Sequence, residues 1–329
     1  MLKFVVKRVL ISTVILFFVM LLIYTIMRLI PTSYVEIVAR ELAVRPGNTK
    51  SYSQWLMEMK AMYGLDKNIV AGFFTWLSSA IRGDFGDSWY YSIPVVEEFN
   101  KVVWNSFYLG AAAFTLEMLI AIPLGVVAAQ KQYSLTDYSV TVISLIGISL
   151  PTFFLATLLK LIFAVKLQWF DISGMVSRDY PTLDSFGQLM DKAKHFILPI
   201  VTLTLISIGS MMRYTRTNML EVLNSDYIRT ARAKGLSEKT VIYKHAFRNT
   251  LIPIVTIIGG SIPGLFAGAL ITETLFKIEG IGYASYNAIT SGDIPFTMFY
   301  LTFLAILTLL GTLIADILYA IVDPRVRIN

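Results

Sequence analysis

The segment DYIRTARAKGLSEKTVIYKHAFRNTLIP, residues 226–253, is a basic stretch between two long apolar runs, and it sets the reading of the whole 329-residue chain. From Arg213 to Arg248 there are eight basic side chains (Arg213, Arg216, Arg229, Arg232, Lys234, Lys239, Lys244, Arg248) against three acids, Glu221, Asp226 and Glu238. A loop charged in that way belongs on the cytoplasmic side of a membrane. The segment also carries helix punctuation. Asn224 or Ser225 can cap a helix with Asp226 in its first turn and Lys234 in its last, and Gly235 follows where a left-handed residue closes a helix. Ser237 can cap a second helix through Val241, Ile242 and Ala246. The spacing predicts two short helices joined at a glycine, with Ala231 and Gly235 leaving room for close approach, which is an element that docks onto something.

Composition points the same way. With 56% hydrophobic residues, 15% charged residues and a mean hydropathy of +0.66, the chain is far from a soluble domain and reads as an all-α polytopic membrane protein. Six apolar runs are long enough to cross a bilayer, at about 9–30, 102–129, 138–165, 196–212, 251–272 and 296–322, the fourth being the shortest. The first follows Lys3, Lys7 and Arg8 like a signal peptide, but it is too long for one and ends in Arg28-Leu29-Ile30-Pro31 without a small-residue cleavage site, so it stays as an anchor.

With both termini inside, the inside segments 1–8, 130–137, 213–248 and 323–329 hold fourteen basic residues, against five in the outside loops 166–195 and 273–295. The net charge of +6 is therefore a topological asymmetry and not a nucleic-acid footprint. The first outside loop, 31–101, is too long for its charge to orient anything. Its apolar spacing, Trp55, Met59, Met62, Tyr63 and then Phe73, Phe74, Trp76, Leu77, predicts short helices against the outer surface of the core. Three parts follow: residues 1–95, a transmembrane helix plus the extracytoplasmic loop; 96–322, a five-helix core; and 323–329, a short cytoplasmic tail.

Several chemistries are excluded. There is no cysteine, hence no disulfide, thiolate metal site or cysteine nucleophile, and no His cluster suggests a metal. GLSEKT, residues 235–240, imitates the end of a phosphate-binding loop but lacks the glycine before Lys239, so the chain itself is expected to bind no ATP and no other cofactor.

RTARAKGLS (229–237) followed by HAFRNTLIP (245–253) resembles the cytoplasmic coupling loop of ABC importer permeases, in the variant of the oligopeptide and dipeptide (peptide/nickel) branch. Where the general family has Glu-Ala-Ala, this chain has Arg229, Thr230 and Ala231, and its path from Gly235 to Pro253 is longer; both departures are typical of that branch. The resemblance covers nearly the whole chain: MLKFVVKRVL and RLIP (28–31), YGLD (63–66), RGDFGDS followed by Pro94 and Val95, IPLGVVAA (122–129), SLPTFF (149–154), Gly280-Ile281-Gly282 up to Asp293 and Pro295, and a terminal DPR (323–325). The usual Gly-Asp-Pro after Pro31 is Thr32-Ser33-Tyr34 here, and Glu279 replaces a usual proline.

The resemblance implies the type I ABC importer transmembrane fold, in the first (B-type) permease subunit. It also implies a second homologous permease, two cytoplasmic ATPases that carry ATP and Mg, an extracytoplasmic peptide-binding protein, and a place in the cytoplasmic (inner) membrane of a bacterium or archaeon. The chain is then a non-catalytic permease in contact with membrane lipid. It couples to its ATPase through 218–248, with Asp226, Tyr227, Arg229, Thr230, Ala231, Arg232, Lys234, Gly235 and Leu236 at the contact. Members carry oligopeptides, dipeptides, nickel, glutathione or sugars, with oligopeptides the first expectation here. The outer helices either help receive the binding protein or cap the outer ends of the spans.

Two rivals are weighed against this. An ion-gradient transporter or channel needs ionisable groups within the membrane, and Glu117, Lys160, Glu273 and Asp316 fall in or at the ends of spans. Lys160 can snorkel to the outer interface, and Glu273 is expected at the outer end of the fifth span. Glu117, at mid-span, either pairs with a neighbouring helix or lines the translocation path. An intramembrane serine protease could use Ser149 in Gly147-Ile148-Ser149, but His195 and His245, the two histidines, are expected near opposite faces, which leaves the serine without a base. Ser149 then reads as a small residue at a helix contact beside a kink at Pro151.

Overall fold

The structure, a computed structural model, describes residues 2–29, 34–62 and 68–322. Pro31 to Ser33, the YGLD motif, the terminal DPR and the tail 323–329 lie outside the described residues. Among the described residues the regular structure is helical throughout, with one isolated antiparallel bridge between Asp87 and Pro94. In chain order the helices are α1 (Leu2–Leu29), α2 (Tyr34–Ala43), α3 (Tyr52–Met62), α4 (Ile69–Ile81), α5 (Val95–Gln130), α6 (Leu135–Ser149), α7 (Thr152–Leu159) and α8 (Ser185–Leu223). Then come α9 (Asp226–Ala233), α10 (Glu238–Thr240), α11 (Phe247–Phe266), α12 (Leu270–Phe276), α13 (Ile281–Thr290) and α14 (Ile294–Val322). A π-helical turn, Lys160–Lys166, prolongs α7, and another, Val241–Ala246, joins α10 to α11.

Five helices are long and apolar enough to cross a membrane: α1, α5, α8, the run from α10 through α11, and α14. The third expected span is not one rod. α6 and the α7 run meet at a bend of 102°, and they make a sixth span only if counted together. The cause is local. Pro151 has no N–H to donate and pushes its predecessor out of the helical region, so Leu150 is extended (φ −79°, ψ 125°) and Pro151 caps α7. The other span prolines, Pro123, Pro199, Pro253 and Pro263, sit inside continuous helices.

The fourth run, shortest as an apolar stretch, belongs to the longest helix. α8 has 39 residues, about 58 Å at 1.5 Å per residue and nearly twice the hydrocarbon thickness of a bilayer. Asp184 starts it by accepting from Gly187 N–H at 2.8 Å, and the polar turns 213–221 remain helical. The fifth span ends at Phe266 and not at residue 272, because Gly268 takes a left-handed φ of +78° and the chain restarts as α12.

α8 is the axis of the core, packed along α5 and α6. Gly209 of α8 lies directly on the Ser144 carbonyl of α6, where a Cβ has no room. At the other end of this contact Arg216 of α8 grips Asp137 of α6 with two parallel hydrogen bonds, Nη2 to Oδ2 at 2.8 Å, while Tyr133 N–H donates to the same carboxylate at 2.9 Å. Asp137 is buried, so the pair is a fork-to-fork clamp of the stronger kind.

α1 packs on α14 and α4, through Tyr24, Met27, Phe73 and Met298, with Phe17 and Tyr24 rings 5.6 and 5.7 Å from that of Phe73. Arg8 and Asp316 approach to 3.2 Å and bring the first and last helices together at the ends nearest the chain termini. The expected short helices are present as α3 and α4, with α2 preceding them, and Val35, Ala39, Met59 and Trp89 make a small core of their own. α4 packs against α1, which the apolar spacing alone did not specify.

Candidate functional site

α9 is short and strongly two-sided. Ile228 and Ala231 are buried among Val126 and Ala129 of α5, Met219 of α8, and Val241 and Ala246 of the π turn. Asp226, Tyr227, Arg229, Thr230, Arg232, Lys234, Gly235 and Leu236 are exposed. The candidate docking residues are thus one continuous exposed surface, apart from Ala231, which faces inward and packs. Full burial of Ile228 contributes about 1.5–3 kcal/mol to holding α9 against the ends of three longer elements.

The glycine does what its position requires. Gly235 has φ +76°, its N–H donates to Arg232 O at 2.9 Å, and Leu236 N–H donates to Ala231 O at 3.4 Å, the paired closing bonds of a glycine-terminated helix. A Cβ there meets no atom of this chain within 4 Å, so the cost of one is conformational, about 1 kcal/mol. Across this turn Arg232 Nη2 donates to Glu238 Oε1 at 2.7 Å, which raises the pKa of the guanidinium; the pair is exposed and worth at most about 1 kcal/mol.

Two details differ from expectation. Ser225 stands at the N-cap of α9, but its hydroxyl turns back to Val222 O at 2.6 Å, and Asn224 closes α8. The second helix is not a separate short one. Ser237 caps it, with Thr240 N–H donating to Oγ at 3.4 Å, and it continues through the π turn into α11. Nothing between Glu238 and Ile252 is Gly or Pro, so the chain has no local reason to stop. Asn249 Nδ2, on α11, donates to the Tyr227 hydroxyl at 3.0 Å and ties the exposed face of α9 to the span.

Glu117 is buried on α5 beside Ser207 of α8, whose hydroxyl donates to Leu203 O of its own helix at 3.0 Å. It therefore sits in the main intrachain helix contact.

Glu273 is not at the end of the fifth span but in α12, fully buried. Its Oε1 accepts from Ser106 Oγ at 2.7 Å and Ala269 N–H at 2.9 Å, and its Oε2 from Tyr283 N–H at 2.9 Å. Gly280 lies against the carboxylate, with no space for a side chain. The Lys160 ammonium donates to Leu275 O at 2.6 Å, over the Phe276 ring, at the C-terminus of α12. Asp293, also buried, caps α14 by accepting from Phe296 N–H at 3.1 Å and holds the RGDFGDS segment through Ser88 Oγ and Tyr90 N–H. Sequence reasoning missed the roles of Ser106, Asp293 and the Asp137–Arg216 clamp, whose partners lie 167, 205 and 79 residues away.

Ser149 is exposed at the end of α6, and no hydrogen bond joins it to a histidine among the described residues. Gly147 and Ser144, not Ser149, face α8. His195 is occupied, with Nδ1 at 2.8 Å from Asp191 O and Nε2 at 3.3 Å from Asp171. Among the described residues no group of three His, Asp or Glu could hold a metal ion.

The family described as "Binding-protein-dependent transport system inner membrane component" matches residues 121–328, and "Binding-prot-dependent transport system membrane comp, N-term" matches residues 1–94. The oligopeptide transport system permease protein AppB of Bacillus subtilis is 35% identical over 328 residues, covering 99% of this chain and 100% of the relative. The dipeptide transport system permease protein DppB of Escherichia coli K12 is 35% identical over 323 residues, 93% of each chain. The oligopeptide transport system permease protein OppB of Salmonella typhimurium is 35% identical over 331 residues, 99% of this chain and 100% of the relative. Matched along nearly its full length, and carrying a two-sided, glycine-closed helix within a multi-helix core, the chain belongs to the family of membrane components of binding-protein-dependent transport systems.

Proposed function

We propose that the chain is one of two homologous permeases of an ATP-driven importer of peptides, oligopeptides first, and that α9 is its contact with an ATPase. The observation that carries this is the construction of α9. One face is packed into the ends of α5, α8 and the α11 run, and the other presents Asp226, Tyr227, Arg229, Thr230, Arg232, Lys234, Gly235 and Leu236. A push on the exposed face reaches three helices at once. ATP and Mg are held by a pair of cytoplasmic ATPases, and an extracytoplasmic binding protein delivers the peptide; the relatives named as peptide permeases support that substrate.

Residues 213–248 face the cytoplasm in this reading and both termini lie on that side, in the inner membrane of a bacterium or archaeon, supported by the charge asymmetry and the Arg8–Asp316 contact. Residues 1–95 form the peripheral helix and outer segment, and 96–322 the pathway-forming core. Lys160, Glu273 and Asp316 engage groups of this same chain, which speaks against a set of free ionisable groups lining an ion path.

The test is reconstitution of the chain with its partner subunits in sealed vesicles. Uptake of a labelled peptide is expected to require ATP and the binding protein and to survive collapse of ion gradients. Uptake driven by a proton or sodium gradient without ATP overturns the proposal.

A further inference from the structure

Between α9 and the near end of α11 lies a cavity of ≈ 670 Å³. Its rim holds Lys244, His245 and Arg248, and its floor Leu251, Ile252 and Val255, all on one stripe of a single helical run. No acidic residue lines it. Elsewhere in the basic segment Arg216, Arg229 and Arg232 are paired with Asp137, Asp226 and Glu238, whereas among the described residues Lys244 and Arg248 have no ion-pair partner. From Arg248 to Val255 the helix rises about 10 Å, enough to pass from the headgroup layer into hydrocarbon. The cavity is therefore cationic at the membrane surface and apolar just below it.

A soluble anion would gain from the rim and nothing from the floor. An anion carrying an acyl chain gains from both, and a membrane leaflet supplies such molecules at that depth. We propose that this cavity is a binding site for an anionic phospholipid, with the phosphodiester held by Lys244, His245 and Arg248 and the upper acyl chain lying on Leu251, Ile252 and Val255. The Tyr227–Asn249 hydrogen bond crosses the same cavity, so a bound lipid touches both α9 and α11 and braces the proposed coupling helix. The proposal rests on residues 213–248 lying at a membrane face, but not on which face.

The complete importer, placed in nanodiscs of phosphatidylcholine with spin-labelled phosphatidylglycerol present in both leaflets, gives the test. Wild type is expected to retain the labelled anionic lipid in preference to labelled phosphatidylcholine. Lys244→Gln with Arg248→Gln is expected to weaken that retention about twenty-fivefold, the product of about fivefold for each basic side chain lost. Arg248→Lys alone, which keeps the charge, is expected to retain it. A photoreactive side chain at Ile252 is expected to label lipid. Equal retention by wild type and the double variant overturns the proposal. So does displacement of the lipid by excess inorganic phosphate, which marks a free-anion site, or attachment of the Ile252 probe to the second permease or an ATPase, which marks a protein interface. Because both leaflets carry the anionic lipid, an error in orientation leaves these readings unchanged and appears only in the labelling of Ser237→Cys.

Discussion

Ser106 of α5 and Glu273 of α12, 167 residues apart in the chain, share a buried 2.7 Å hydrogen bond, and the same hydroxyl accepts from Ile281 N–H at 2.8 Å. Through one side chain on α5, one on α12 and backbone N–H groups of α13, the three elements are fixed to each other.

This arrangement makes Glu273→Gln a sharp probe. The amide oxygen can face Ser106 and Ala269, which sets the NH₂ against Tyr283 N–H, or it can face Tyr283, which sets the NH₂ against Ala269 N–H. Either way two donors meet in a buried site. A loss of about 1–3 kcal/mol in stability is expected, read as a lowered thermal midpoint of the purified complex. An unchanged midpoint would show that the carboxylate is not the junction.

Glu117 gives the contrasting result. Its neighbour Ser207 is a hydroxyl that can donate or accept, and glutamine has nearly the same shape as glutamate, so Glu117→Gln is expected to leave assembly and uptake per assembled complex near normal. Glu117→Leu should lower the amount of folded complex, because it takes the polar group out of the α5–α8 contact. Normal assembly with altered transport in Glu117→Gln would instead put the carboxyl on the peptide path.

Gly235→Asp is expected to abolish transport while the protein still reaches the membrane. The strain within this chain is only about 1 kcal/mol, too little to unfold it, and the added side chain projects into the space an ATPase is proposed to fill. Gly235→Asn, which enters the left-handed region more readily, should retain more uptake than Gly235→Ala. Uptake at the normal rate in Gly235→Asp defeats the coupling assignment.

The chain's lack of cysteine makes its topology measurable. Ser51→Cys and Ser185→Cys are expected to react with an impermeant thiol reagent added outside intact cells, and Ser237→Cys is not. Ser185 is a better position than Asp184, whose carboxylate caps α8. Labelling of Ser237→Cys from outside reverses the orientation.

Much of the fold could be read from sequence because spans and loop charge are local properties: a run of about 20 apolar residues or a glycine after a basic helical turn needs no distant partner. The reading failed where a neighbour decided the outcome. Snorkelling is the default for a lone lysine near a helix end, and it does not foretell that Lys160 meets the carbonyl end of α12, 115 residues away. The fourth span was judged by apolar length, which says where lipid is and not where a helix stops. Pro151 is legible as a kink, but a proline alone does not state the size of the bend, 102°.

The helical run that begins at Glu238 and ends at Phe266 is 29 residues long, about 44 Å from one end to the other. One end lies beside Gly235 and the proposed ATPase contact; the other stops two residues short of Gly268, just before the helix that holds Glu273. Such a rod works as a lever: pivoted at one end and tilted by about 10°, it sweeps the other end through roughly 8 Å, without any hinge having to bend along the way. A small rotation imposed at the proposed ATPase contact would then emerge at the far end as a displacement beside a buried carboxylate.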